Sequence, residues 1–513
     1  MQDYEGGFWS KRYTIFSILL AVIITALHLT AFTVSHAYTS DETHLQVMFA
    51  NDAVVSGQPK WFGISSFISK LPFIYLARFF SNYSRFGIFL PTLLVDVICA
   101  VLFMVGSMYF FNKYRYSRWS ILPALWVLTL GGNFIFNLFL LNSRNFEIGL
   151  IFFTLALLDY FLDNRQFISN KKFITILAVM VMIWGFIAVT DSFYIYMLFA
   201  PLALYAAVAF FKTKKTGYKD VFLLTLAGLL ATGLFYLIYT ALNYHSYPVI
   251  IRFDDYTNVT HKIANLPFTL LSFTGNSFFR AVIKPTTVAK FLGASLTVLG
   301  LYGLYAIAQD KTLEKFEFIK IFPFIAALNL IVWLFSDRSS DHYLIMLPFI
   351  LAIGLAYLLC KTKFLKWLII SLALAAVIGN SAIIAKDYLH AKRSSYSPNS
   401  ANYELITELN RLGLTKGYVE FWDGPINTYL SGNKVKFIQT LCYEQKLYIN
   451  HWYLSASEYS AQSQKSFFTL NTAFPQGCSE AIITKQLGDP SQIVTYKNYR
   501  FYIYDYDITG KIF

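Results

Sequence analysis

The chain has 513 residues, of which 56% are hydrophobic, 19% aromatic and only 14% charged, and its formal net charge is +13. So apolar a composition excludes a soluble multidomain protein and points to a chain that lives in lipid. In that setting the positive charge reads as a topology signal and as contact with anionic lipids, so membrane lipids are expected partners and nucleic acid is not.

In chain order, apolar runs long enough to cross a bilayer fall at about 13–34, 86–111, 119–141, 146–162, 173–189, 193–211, 221–242, 287–308, 318–335, 343–360 and 367–385. These predict about eleven spans. Every second connecting loop is basic: Lys11 and Arg12, then Lys113, Arg115 and Arg118, then Arg165, Lys171 and Lys172, then Lys212 to Lys219, then Lys311, Lys315 and Lys320, then Lys361, Lys363 and Lys366. Short cytoplasmic loops accumulate Lys and Arg, so the N-terminus is expected in the cytoplasm and, with an odd span count, the tail outside. The first run lacks the separate charged segment and the small-residue cleavage site of a signal peptide, and reads as a retained anchor.

The expected fold class is therefore a mostly α polytopic membrane protein of about 11 transmembrane helices with a small exported α/β domain. The transmembrane domain covers 1–385, with long outer loops at 36–85 and 243–286, and the soluble domain covers 386–513. In the tail, "SPNSANYELITELNRLGL" predicts a helix started by Ser397, Asn399 or Ser400, with Leu405, Leu409 and Leu412 on one face and Gly413 as its stop. "GYVEFW", "KVKFIQTLCY", "SQIVTY" and "YRFYIYDYD" read as strands, the last two joined by a hairpin at Lys497-Asn498. Cys442 and Cys478 lie in this domain, either bridged or as two small buried residues, while Cys99 and Cys360 fall in predicted spans.

Polar residues at the outer ends of the spans are the informative ones, because the bilayer makes each costly. Asp41, Glu42 and His44 open the first outer loop, with Asp52 farther along it. "LLNSRNFEIGL" places Arg144 and Glu147 in the outer turn before the fourth span; they could simply pair, or the Arg could meet a phosphate. The long loop "NYHSYPVIIRFDDYTNVTHKIANLPF" carries His245, Arg252, Asp254, Asp255, His261 and Lys262, followed by Arg280 and Lys284, several cations suited to a lipid-linked phosphate. "SDRSSDHYLIMLPF" packs Asp337, Arg338, Asp341 and His342 into one short turn on the side where Arg is normally scarce. No Walker loop, GxSxG, HExxH, CxxC or dinucleotide fingerprint is present, and no cofactor is expected from motifs. Asp254-Asp255 could hold a divalent cation, although such a loop pair is usually just solvated.

The order of these parts resembles the GT-C superfamily of membrane glycosyltransferases, and within it the protein O-mannosyltransferase and lipid A aminoarabinose transferase group. The likeness runs over the whole chain: a first span, an outer loop opening with "SDETH", the turn "SRNFEIG", the turn "DRSSDHYLIMLP" and an exported α/β tail. It implies a sugar donor on a polyprenyl phosphate and a glycolipid, glycan or protein acceptor at the outer face. Asp41 would be the catalytic carboxylate and Glu42 its neighbour in the motif, with Arg144 and Glu147 as the second-turn pair and Arg338 and His342 at the donor phosphate or sugar. Arg252 and Lys262 join the same phosphate-facing set from the long loop. Many relatives follow the acidic pair with an aromatic residue and later a His-Pro-Pro stretch; here the sequence reads "THLQVMF" and "GQPKWFGISSF", which leaves sugar and acceptor open. The competing class is a transporter or lipid flippase with an exported accessory domain, for which Asp96 would be the main carboxylate inside a span.

Overall fold

A computed structural model describes residues 11–35, 60–62, 72–73, 76, 85–130, 145–164, 167, 169–190, 194–241, 244–246, 256–272, 285–314, 317–335, 344–361, 363–393, 399–420, 423–450, 463–473 and 478–512. The chain forms two compact units, the first of Met1–Val34, Leu93–Leu234 and Ile250–Arg393, the second of Ser35–Thr92, Phe235–Val249 and Ser394–Phe513.

Every one of the eleven apolar runs contains a helix. They are α1 (Lys11–Ser35), α2 (Arg85–Lys113), α3 (Ile121–Leu128), α4 (Asn145–Asn164), α5 (Asn170–Thr190), α6 (Ala200–Thr213) and α7 (Thr216–Ala241). Then, after α8 (Tyr256–Ser272), come α9 (Pro285–Gln309), α10 (Ile321–Phe335), α11 (Met346–Leu358) and α12 (Lys363–Arg393). Among the described residues seven helical stretches are long and apolar enough to cross a membrane, namely Arg12–Val34, Gly87–Lys113, Ile195–Thr213, Thr216–Ala241, Phe291–Gln309, Phe318–Phe335 and Lys363–Lys392. Arg118–Leu128, Ile174–Thr190 and Met346–Leu358 are shorter apolar helices. The last helix runs to Arg393, past the expected boundary at 385, because "KDYLHAK" contains no Gly or Pro to stop it.

The helices of the first unit meet through aromatic rings and glycines. Phe103 of α2 packs edge-on against Phe152 of α4 and Phe349 of α11, each at 4.9 Å between ring centres, and Phe152 in turn meets Phe322 of α10 at 5.5 Å. Edge-to-face pairs of this kind add to the burial of each ring. Where the backbones come closest no side chain fits: a Cβ on Gly303 of α9 would lie 2.1 Å from the Gly354 carbonyl oxygen of α11. Small residues at such crossings are how helices approach in lipid, where apolar burial alone does not drive association.

The basic loops gather at one end of these helices. Tyr13 donates to the carbonyl of Arg118 at 2.8 Å, the Ser117 amide to Cys360 Sγ at 3.1 Å, Tyr114 to Glu317 at 3.3 Å, and Lys215 pairs with Glu314. Lys113 holds both Asp159 and Asp163 of α4 at 2.7 Å, the two carboxylates lying one turn apart. Asp310 is held by Lys361, Tyr357 and Thr312. Burial alone would raise its carboxyl, but hydrogen bonds from Lys361, Thr312 and Tyr357 outweigh that and keep it well below the usual carboxylate range.

The second unit holds a two-stranded parallel ladder, β1 (Lys60–Phe62) on β2 (Tyr244–Ser246), with Trp61 opposite His245. The tail is built on a six-stranded mixed sheet. Its strands β3 (Lys416–Glu420), β4 (Lys436–Tyr443), β5 (Lys446–Ile449), β6 (Ser466–Asn471), β7 (Gln492–Tyr496) and β8 (Tyr499–Tyr504) lie in the order β5-β4-β3-β6-β8-β7. β3 is parallel to both β4 and β6, and the remaining pairs are antiparallel. The helix α13 (Ser400–Arg411) covers one face, burying Leu405 and Leu409 against Val419, Phe437, Phe467 and Phe501. Gly413 ends it at φ +66°, in the left-handed region that a helix stop requires, and the Leu414 amide returns to the Leu409 carbonyl at 3.0 Å. The other face packs Tyr418, Phe468 and Tyr502 under α15 (Glu480–Leu487), whose Ser479 cap accepts from the Ile482 amide. The small α14 (Gly424–Leu430) completes the β3-to-β4 crossover. Lys497, at φ +51°, turns the expected hairpin between β7 and β8.

Asp507 fastens the tail's last residues to β3. It accepts from Lys416 Nζ, the Ser463 amide and the Thr509 amide, each at 2.9 Å. Burial would raise its carboxyl, but the hydrogen bonds from Thr509 and Lys416 prevail and bring it down from the ordinary 3.8 to about 2. A depressed carboxyl contributes stability that is complete above the unfolded-state value and is lost as pH falls through the folded one. Amide exchange on β3 of the full chain should therefore lose protection between about pH 4 and pH 2. Asp507→Asn should abolish that part of the pH dependence.

Candidate functional site

The candidate site is the end of the first unit's helices opposite the tied basic loops. α1 begins at that tied end with Tyr13 and finishes at Ser35, so Asp41 and Glu42 follow its far end in sequence. α4 has Asp159 and Asp163 near its tied end and Glu147 in its first turn at the other. α10 starts beside Glu317 and Lys320 and carries Trp333 near its far end.

Of the residues expected to do chemistry, Glu147 and Lys262 are described. Glu147 is 1% exposed, and the fully buried Tyr194, just before the π-turn Ile195–Phe199 that leads into α6, has Thr154 and Glu147 as its polar neighbours. Thr154 also accepts from Trp184 Nε1 at 3.3 Å, which ties α5 into the same cluster. Gly149 lets α4 sit tightly on α2: a Cβ there would meet the Cys99 carbonyl oxygen at 2.7 Å. Glu147 is thus a carboxylate held inside the protein, where it costs free energy unless polar groups or a cation receive it. Single-turn π insertions recur at functional sites, which marks Tyr194 out as well.

Lys262 lies on α8, a helix that the sequence showed only as a polar loop. Val259 and Lys262 are buried whereas His261 and Ile263 are exposed, and Ile263 is 53% exposed, so a cation points inward and an aliphatic side chain outward. Lys262 Nζ donates to the Trp333 carbonyl at 3.2 Å and lies 5.7 Å from the centre of the Trp333 ring, a cation–π geometry. The buried face of α8 thus carries both an aliphatic residue and a cation, and its exposed face both a His and an Ile.

Asp41, Glu42, Arg144, Arg252, Arg338 and His342 lie outside the described residues, as do His44, Asp52, Asp254, Asp255, Arg280, Lys284, Asp337 and Asp341. Two buried groups that were not singled out as site residues are now visible. His28 of α1 is 4% exposed and pairs through Nε2 with Ser381 of α12 at 3.0 Å. Tyr194 has no motif around it; only an aromatic cluster "DSFYIYMLF" at a span's start marks its place. Asp96 is buried inside α2.

In the tail, Cys442 and Cys478 form a disulfide with 5.2 Å between their Cα atoms, which resolves the two readings of that pair in favour of the bridge. Glu420, at the end of β3, has a carboxylate oxygen within 4.8 Å of both sulfurs. Bridged sulfurs are not thiolate ligands, so these three groups do not make a metal site in this state. Asp423 accepts from Asn471 at 3.0 Å and Tyr499 at 3.2 Å, and burial raises its carboxyl.

No family model matches this chain, and neither the curated proteins nor the solved structures hold a match to it.

Proposed function

We propose that this chain is a membrane glycosyltransferase that moves a sugar from a polyprenyl-phosphate donor to an acceptor hydroxyl at the outer face of the membrane. Asp41 acts as general base on the acceptor hydroxyl, with Glu42 beside it. Arg144, Glu147, Arg338, His342, Arg252 and Lys262 serve the donor side. The departing group is a phosphate, so cations that receive its charge matter more than a general acid, and a single displacement inverts the anomeric centre. The observation that carries the reading is the burial of Glu147 and Lys262 at the helix ends away from the basic loops. A bundle that merely anchored the tail would have no use for either.

The same proposal takes eleven spans, a plasma-membrane location, a cytoplasmic N-terminus and an exported tail. Two facts support that orientation: the basic loops converge on one end, and the tail holds a disulfide, which persists in oxidising compartments. A C-terminal alkaline phosphatase fusion should be active, and a fluorescent fusion that folds only in cytoplasm should stay dark. The opposite pattern would place the tail inside.

A transporter or lipid flippase is the second reading, favoured by the buried His28 and Asp96 within helices. Mass spectrometry of envelope lipids, glycans and exported proteins from cells with and without the gene separates the two. Transfer predicts a product lighter by one sugar residue when the gene is missing. Unmodified products together with a lipid or solute retained on one side would support translocation instead.

A further inference from the structure

We propose that the Cys442–Cys478 bridge is a thiol–disulfide exchange site for an external dithiol, with Glu420 carrying the proton of the buried sulfur. Three observations point to it. The two sulfurs differ in access: Cys442 is partly exposed near the end of β4, while Cys478 is 4% exposed beneath it. Glu420 is itself 2% exposed and has a carboxylate oxygen within 4.8 Å of both sulfurs. The Cys478 amide donates to Glu420 Oε1 at 3.4 Å, so the carboxyl is held on the side of the buried cysteine. A bridge that only staples two segments has no need of a buried carboxyl at its sulfurs, whereas an exchange site does.

The chemistry follows from that asymmetry. A thiolate of the dithiol attacks Cys442 Sγ, the accessible sulfur; the Cys442–Cys478 bond breaks and its electron pair leaves on Cys478. The Glu420 carboxyl protonates the Cys478 thiolate, which would otherwise be a buried charge. The second thiol of the dithiol then attacks the dithiol's own sulfur in the mixed disulfide and its proton passes to the departing Cys442 sulfur, so the protein disulfide is reduced to two thiols, the dithiol is oxidised to its own disulfide, and Glu420 regains from water the proton that the first thiol lost on becoming a thiolate. In the reverse direction, the Glu420 carboxylate takes the proton of Cys478 as that sulfur attacks. The site is separate from sugar transfer and stands or falls independently of it.

The test uses the full chain in detergent, with Cys360→Ser to remove the exposed free thiol, and dithiothreitol as the reductant. Released thiols are counted by mass tagging across a pH series. The reduction rate should stay first order in dithiothreitol, and Glu420→Gln should slow it on the order of a hundredfold and alter its pH profile, with Glu420→Asp recovering part of the loss. A rate that levels off at the rate of global unfolding, or a Gln variant that follows the parent in both rate and pH profile, overturns the proposal. Should the Gln variant not fold, single-cysteine variants decide. Cys478→Ser should leave Cys442 quickly alkylated and Cys442→Ser should leave Cys478 protected, while equal labelling overturns the assignment of Cys442 as the attacked sulfur.

Discussion

Asp41→Asn is expected to cut sugar transfer on the order of a hundredfold or more, with the chain still inserted and folded, because the amide cannot accept the acceptor's proton while it keeps the carboxylate's shape. The loss should appear mainly in kcat at saturating donor, since Asp41 is assigned to the acceptor proton and the Arg, Lys and His groups to the phosphate. Lys262→Ala should show the converse, a higher donor KM with less change in kcat. Partial unfolding would also lower apparent kcat while leaving the donor KM unchanged, so the folded fraction of each variant has to be measured beside its turnover. Purified variants assayed for transfer and for thermal unfolding in the same detergent give both readouts, and an Asp41→Asn enzyme with parental turnover would sink the assignment.

Among the described glycines, Gly303→Ala should be the most damaging substitution. The added carbon would sit 2.1 Å from the Gly354 carbonyl oxygen, a backbone atom that no rotamer change can move aside. α9 and α11 would have to separate along their shared seam, where Gly300 and Leu351 are also in close contact. Ordinary overpacking costs about 1 to 3 kcal/mol, and a clash with backbone belongs at or above the top of that range. Gly233→Ala in α7 is the matched control, since a Cβ there meets nothing within 4 Å. It should be neutral or slightly stabilising, as Ala is the better helix former by up to about 1 kcal/mol. Equal melting temperatures for the two variants would show that the close approach of α9 and α11 is not limiting.

The helices of the eleven apolar runs and α13 were legible because each is a local pattern, an apolar run of sufficient length or a Leu face ended by a glycine, whereas the short α14 and α15 carry no such run and were not foreseen. The hairpin at Lys497-Asn498 was legible for the same reason. α8 was not, because the helix buries Val259 and Lys262 and exposes Ile263, so its residues do not announce which side is inside. Pairings between distant segments were out of reach altogether. Lys113 with Asp159, and His28 with Ser381, depend on which helices become neighbours, and the loop sequence alone does not set that. The bridge between Cys442 and Cys478 could be named as a choice and no more, since two cysteines in a small domain fit either outcome. Of the candidate site, the sequence had picked out Glu147 and Lys262; their burial, and the part played by Tyr194, came only with the fold.

The hydrogen bonds that tie Tyr13 to Arg118, Ser117 to Cys360 and Tyr114 to Glu317 bear on how such a chain can be made. In the proposed orientation, all of these partners stay on the side where synthesis occurs and never cross the bilayer. Each inserted helix pair can therefore be latched to earlier ones as its loop leaves the ribosome, before any translocated segment has folded. The register of the bundle would then be set from within the cell, and the outer loops would inherit a spacing of helix ends already decided for them. Substitutions that break these latches should accordingly lower the yield of inserted protein more than the melting temperature of what is recovered.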